Sequence, residues 1–225
     1  MPSTTFRVLA VDDDFRVRAA YDELFRDNTE FTLVGLAQDG QEAIEAYERL
    51  RPDVVLMDLQ MPGRSGVEAI EVICSRWPGA CVVAMTAFAT KDYIVGALHA
   101  GAAGYLVKGI QDAVITAALR QAMAGDMPLS RAVRRELVST LLSEGTTVSQ
   151  DDYGLAPREL ELLEWLAHGL TNAQIAARMF ISEGSVKQYL TRISSKLEVS
   201  SRTQVLVRAI QLGLVDPYNL PPVHG

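Results

Sequence analysis

Three aspartates in succession, Asp12, Asp13 and Asp14, follow the apolar run FRVLAV at 6–11, and a fourth acid, Asp58, closes the run DVVLMD at 53–58. Crowding like charges at the mouth of a core is costly through both repulsion and desolvation. Such a cluster needs a neutralising partner. A small hard cation such as Mg²⁺, which takes a few carboxylates and keeps several waters, suits it best. Thr86, ending CVVAMT, and Lys108, ending GYLVK, add a hydroxyl donor and an ammonium. A carboxylate, a metal site, a hydroxyl and an ammonium around one point can hold a phosphoryl group and balance its charge during transfer. Asp58 is the natural nucleophile of the set. Taken singly, each residue has a plainer role: Asp13 or Asp14 as a helix cap, Thr86 as a β-branched strand residue, Lys108 as a solvated charge.

The elements that must carry these residues can be read from the apolar pattern. The runs at 6–11, 31–37, 54–57, 81–85 and 104–107 are continuous rather than alternating, as strands buried on both faces require. Between them apolar residues recur at helical spacing: Val17, Tyr21, Leu24 and Phe25; Ala43, Tyr47 and Leu50; Val67, Ile70, Cys74 and Trp77; and Ile110, Val114 and Ala118. Residues 90–101 carry a weaker stripe. Five βα units of this size predict a doubly wound parallel sheet with its binding crevice at the carboxyl ends of the strands. The ends of the first and third strands are neighbours in such a sheet, so Asp12, Asp13 and Asp58 converge.

Beyond GDMPLS at 125–130 the pattern changes. A helical segment is expected at about 131–142, then a polar tether, and a second domain from near Leu155. Pro157 suits the first turn of a helix, and Gly169 its end. Thr171 to Gln174 reads as a capping box with Leu170 and Ile175 as a hydrophobic staple. Ser182 caps a further helix, with Ile181 and Val186 in the same relation. Two helices so tightly joined suggest helix-turn-helix. In the second of them Val186, Leu190, Ile193 and Leu197 form an apolar stripe, leaving Lys187, Gln188, Thr191, Arg192 and Ser195 on the opposite face, where they can bond base edges or phosphates.

Composition agrees with two domains: the chain has 225 residues, 48% apolar. The net charge of −7 conceals an uneven spread. Residues 1–120 hold 11 Lys+Arg against 17 Asp+Glu, whereas residues 178–208 hold six basic side chains against two acidic ones. The second domain therefore carries a local positive patch. Neither a leader segment nor an apolar run of spanning length stands out, so a cytoplasmic protein without membrane contact is expected. Cys74 and Cys81, expected on a helix and a strand, lack metal-site spacing and read as reduced packing residues.

The order of Asp12, Asp13, Asp58, Thr86 and Lys108 along residues 5–125 closely resembles the receiver domain of bacterial two-component response regulators, as do Met61-Pro62-Gly63 and Gly66. Residues 155–210 look very much like the DNA-binding domain of NarL/FixJ regulators, the LuxR type. The matching features include Pro157-Arg158-Glu159, Asn172, Ile175-Ala176, Ser182, Val186-Lys187, Lys196-Leu197 and Arg202-Thr203. The resemblance implies a flavodoxin-like receiver (1–125), a linker (126–153) and an all-α four-helix helix-turn-helix domain (154–225). It implies that a sensor histidine kinase phosphorylates Asp58. It also implies that Asp12, Asp13, Asp58 and the backbone carbonyl of Gln60 bind Mg²⁺, that Thr86 and Tyr105 form a switch pair, and that Lys108 binds the phosphate. On DNA it implies base contacts from Lys187, Gln188 and Thr191 and phosphate contacts from Arg192, Lys196 and Asn172, with a homodimer reading paired half-sites.

Three departures are visible. Asp14 stands where many members have His, Gly109 follows the lysine where others often have an acid or Pro, and Ala156 replaces the usual Ser or Thr, so the first helix of the second domain is expected to lack a side-chain cap. Two other readings compete. An aspartyl-phosphate phosphohydrolase of the haloacid dehalogenase type would need a second Asp at the position of Gln60, so no fast enzymatic turnover is expected. A receiver with a protein-binding helical output would bind its partner without salt dependence.

Overall fold

The computed structural model describes residues 5–87, 90–129, 133 and 153–215. Five parallel strands, β1 (Phe6–Val11), β2 (Phe31–Ala37), β3 (Val54–Asp58), β4 (Val82–Thr86) and β5 (Gly104–Val107), lie in the order β2-β1-β3-β4-β5. Helices α1 (Phe15–Arg26), α2 (Gly40–Leu50), α3 (Gly66–Arg76), α4 (Lys91–His99) and α5 (Asp112–Met123) cover both faces. The continuous apolar runs have the expected cause: every residue of β3 and β4 is buried. Alternate residues serve the two layers. Leu9, Val11, Val55, Met57 and Ala84 belong to one core cluster, and Val8, Ala10, Val54, Leu56 and Val83 to the other.

The strand ends fall where the acids require. The Leu59 amide donates to Met85 O at 3.1 Å and the Asp12 amide to Ala37 O at 3.1 Å, which fixes both carboxylate-bearing residues at one edge of the sheet. Gly66 is demanded by proximity, since a Cβ there would stand 1.8 Å from Asp58 O. Beyond α5 the chain turns through Gly125 (φ +85°), and the Tyr105 amide donates to Pro128 O at 3.0 Å, covering the exposed edge of β5.

The second unit is all-helical: α6 (Pro157–Ala167), α7 (Asn172–Met179), α8 (Glu183–Leu197) and α9 (Arg202–Gln211). Its caps follow the sequence. Thr171 and Gln174 form the capping box, and Ser182 Oγ accepts from the Ser185 amide at 3.1 Å, a cap worth about 1 kcal/mol. At Ala156 no side chain caps α6, and Glu159 instead takes the Ala156 amide at 2.8 Å. On α8, Val186, Ile193 and Leu197 are buried and Leu190 is half-buried.

Two placements differ from the periodic reading. Ile110 precedes α5, because Gly109 (φ +84°) turns the chain and Gln111 takes the N-cap position. Cys81 lies just before β4 rather than within it. The helical segment expected at 131–142 falls outside the described residues except for Val133, as do parts of the linker.

The two units touch. Thr203 Oγ1, fully buried, donates to Ala102 O at 2.6 Å, and Gln204 Nε2 donates to His99 O at 2.7 Å, holding α9 against the C-terminal end of α4.

Candidate functional site: an acidic crevice and a basic helix face

Each member of the acidic triplet has a separate task. Asp14 is the N-cap of α1, its side chain accepting from the Arg16 amide at 2.8 Å. Asp12 and Asp13 are thereby free to face the crevice. Asp12 is fully buried, Asp58 is 3% exposed and Asp13 reaches solvent. Each of the three offers a carboxylate oxygen, all lying within 4.8 Å of one another. That donor set suits a small hard divalent cation completed by waters.

Lys108 bridges the buried pair, its Nζ 2.6 Å from Asp12 Oδ2 and 2.7 Å from Asp58 Oδ2. The remaining oxygens are held by the backbone: Asp12 Oδ1 accepts from the Asp14 amide at 3.1 Å, and Asp58 Oδ1 from the Gln60 amide at 3.2 Å. Burial pushes the Asp12 carboxyl above its ordinary range, against the pull of Lys108. Burial alone would lower the Lys108 ammonium, but its bonds to the two carboxylates outweigh that and raise it. With Asp13 alongside, three carboxylates share the one ammonium.

Arg18 belongs to this site, although the sequence pattern does not single it out. Its guanidinium donates to the carbonyls of Asp12 (2.6 Å) and Asp13 (2.8 Å), pinning the acidic loop by its backbone. Its partners are main-chain carbonyls, which side-chain spacing does not announce.

Thr86 ends β4 fully buried, and its carbonyl accepts from the Lys108 amide at 2.7 Å, so the lysine loop is tied to that strand. Tyr105 is also fully buried, and burial raises its hydroxyl to about 12 against the opposing bond to Thr86. The ring is thus packed in the interior next to Thr86. Gln60, two residues after Asp58, is half-buried and carries an amide that cannot serve as a general acid.

On the helical unit, Lys187, Gln188, Thr191 and Arg192 lie together on the exposed side of α8. The Arg192 guanidinium stacks 4.7 Å from the Tyr189 ring, and Thr191 Oγ1 donates to Lys187 O at 3.0 Å. The other two residues read as phosphate contacts are engaged within the protein. Lys196 Nζ donates to Glu159 Oε2 at 2.6 Å and Gly154 O at 2.8 Å. Asn172 is 2% exposed, its side chain turned to the end of α5. For Asn172 to meet DNA, the two units must part.

A doubly wound sheet with this crevice, joined to a helix-turn-helix, defines a response regulator of two-component signalling. The chain matches the model of the response regulator receiver domain over residues 8–120 and that of the luxR family of bacterial regulatory proteins over residues 154–209. It is 36% identical to the transcriptional regulatory protein LiaR of Bacillus subtilis over 93% of this chain and 99% of that one. It is 34% identical to the nitrate/nitrite response regulator NarL of Escherichia coli K12, over 89% and 93%. Among solved structures it resembles the response regulator ChrA of a heme-sensing two-component system, with 33% identity, coverage of 94% and 99%, and a TM-score of 0.51. The chain belongs to the NarL/LiaR type of two-component response regulators, with a receiver and a LuxR-type DNA-binding domain. No helix among the described residues is long and apolar enough to cross a membrane.

Proposed function

We propose that this protein is a cytoplasmic transcription factor whose DNA binding is set by phosphate on Asp58. The division is a receiver at 1–125, a linker at 126–153 and a DNA-binding domain at 154–225. The observation that carries the reading is the Lys108 ammonium held 2.7 Å from Asp58 and 2.6 Å from Asp12, at the mouth of an otherwise apolar sheet.

An Asp58 oxygen attacks the phosphorus of a phosphohistidine on a sensor kinase; the new P–O bond forms as the P–N bond breaks and the imidazole leaves. Lys108 and the Thr86 hydroxyl face the transferred oxygens and offset their charge. Asp12, Asp13, Asp58 and the Gln60 carbonyl would hold Mg²⁺, which supplies further charge neutralisation when bound. Arg18 holds the loop of Asp12 and Asp13 in shape for that role. With Gln60 where a general acid would be needed, the acyl phosphate persists, and the protein is no turnover enzyme beyond slow self-labelling and self-hydrolysis.

Phosphate bonded to Thr86 and Lys108 would shift the surface around residues 88–108, where His99 and Ala102 meet α9. Lys187, Gln188 and Thr191 then read bases in the major groove, with Arg192 and, once freed, Lys196 and Asn172 on phosphates. Two copies reading paired half-sites make the homodimer the DNA-bound form.

Selection of genomic fragments by the full chain, with and without a small phosphodonor and Mg²⁺, tests switch and output together. The expected result is enrichment of a common pair of half-sites that strengthens with the phosphodonor. Equal recovery of unrelated fragments in both conditions would contradict the reading.

A further inference from the structure

The start of α7 exposes backbone amides that the helix cannot satisfy itself. Thr171 Oγ1 takes the Gln174 amide at 3.3 Å, and Gln174 Oε1 takes the Thr171 amide at 2.9 Å. The Asn172 amide, next in line, is taken by neither. It donates instead to Asp126 Oδ1, a carboxylate of the receiver side, at 2.8 Å.

Asp126 is built into place. Gly125 adopts φ +85° at the end of α5, and the Asp126 amide bonds back to Gln121 O at 2.9 Å, a helix C-terminal motif that aims its side chain across the seam. The Asn172 side chain reaches the opposite way, to the carbonyls of Ala124 and Gly125, each at 3.4 Å. Beside them lies the Arg202 guanidinium, which donates to Leu170 O at 2.6 Å and to Asn172 Oδ1, while its Nε is buried with no hydrogen-bond partner. Burial lowers Arg202 to about 10, and the Asp126 carboxylate is the charge that opposes this. A cavity of about 210 Å³, lined by Asp126, Thr171 and Arg202 among others, opens next to this group.

An anion seated on a helix-start amide beside a guanidinium is the arrangement by which proteins hold phosphate. In a helix-turn-helix the first helix of the pair crosses the DNA backbone, and helix N-termini are recurrent phosphate donors. The base-reading side chains of α8, Lys187, Gln188 and Thr191, are exposed in the docked arrangement, so among the described residues that face is uncovered. What is masked is the α7 terminus.

We propose that Asp126 is an internal stand-in for a DNA phosphate: its carboxylate occupies the Asn172 amide at the start of α7 until the two units part, holding the resting chain off DNA at a backbone contact. The proposal rests on the DNA-binding reading above and adds the residue that restrains it. The link to the receiver switch is short, since Pro128, two residues beyond Asp126, is bonded to the Tyr105 amide.

The test uses the full chain without phosphodonor and a fluorescent random-sequence duplex, titrated over a salt series by anisotropy. Asp126→Ala and Asp126→Asn should each bind about five-fold tighter than wild type, the scale of one charge at a helix terminus. Neutralising one more DNA phosphate should steepen the plot of log affinity against log salt by about 0.9 in the Ala variant. Asp126→Asn keeps an oxygen for the amide and remains the test if the Ala variant does not fold. Asp22→Asn on α1 makes the same charge change elsewhere and should leave affinity unchanged. Salt-dependent wild-type binding with both Asp126 variants unaltered, or equal tightening by Asp22→Asn, overturns the stand-in. Absence of salt-dependent binding in every form overturns the DNA-binding reading itself.

Discussion

Two lysines in this molecule each place an ammonium 2.6 Å from a carboxylate that is at most 3% exposed: Lys108 on Asp12 in the receiver, and Lys196 on Glu159 in the DNA-binding domain. The pairs look alike and do different work. Glu159 also takes the Ala156 amide and Lys196 the Gly154 carbonyl, so one charge meets one charge and the stray backbone groups are used up. In the receiver a single ammonium serves Asp12 and Asp58 with Asp13 alongside, and negative charge is left over. A balanced pair joins two ends of a small fold, whereas an unbalanced one is a standing invitation to a cation and a phosphoryl group. The surplus, and not burial or pairing as such, separates the reactive site from the structural one.

Breaking the balanced pair should cost the most stability. Glu159→Gln keeps the shape and the bond to the Ala156 amide but leaves Lys196 without its counter-charge, and should lower unfolding free energy by about 1.5 kcal/mol, read from urea titrations. The sign with pH follows. Burial opposes ionisation of Glu159, but the bonds from Lys196 and the Ala156 amide win, so its folded value lies below the ordinary glutamate value of 4.5. The wild-type advantage is therefore full above the ordinary value and fades as pH falls through the lowered one.

At the unbalanced site the sign reverses. Asp12 is raised above its ordinary 3.8, chiefly by burial, so carrying its charge at neutral pH costs stability that the protonated form does not. In chelator, Asp12→Asn should stabilise the chain by about 0.5 kcal/mol at neutral pH, an advantage that shrinks as pH falls towards the ordinary value. Destabilisation by Asp12→Asn equal to that of Glu159→Gln would erase the distinction between the two centres.

The same contrast explains what the sequence discloses. Asp12, Asp58, Thr86 and Lys108 are legible because each ends a strand or directly follows one, and parallel strands of one sheet bring their ends together whatever the details of packing. The helix-turn-helix is legible because Thr171 and Ser182 announce their helices by local chemistry. The Lys196–Glu159 pair spans 37 residues and the Asp126–Asn172 contact 46, and nothing in local spacing encodes either. Hence local spacing does not disclose that Lys196, exposed on α8, is paired within its own domain, or that the Asn172 side chain faces the receiver. Tyr105 is legible as a residue but not in its rotamer, which depends on what packs around it.

The claim that the surplus charge exists to receive a phosphoryl group is tested most directly by intact-mass measurement after incubation with a small phosphodonor and Mg²⁺. Wild type should gain the mass of one phosphoryl group and Asp58→Asn none; an Asp58→Asn chain that still gains it, on another residue, would contradict the account.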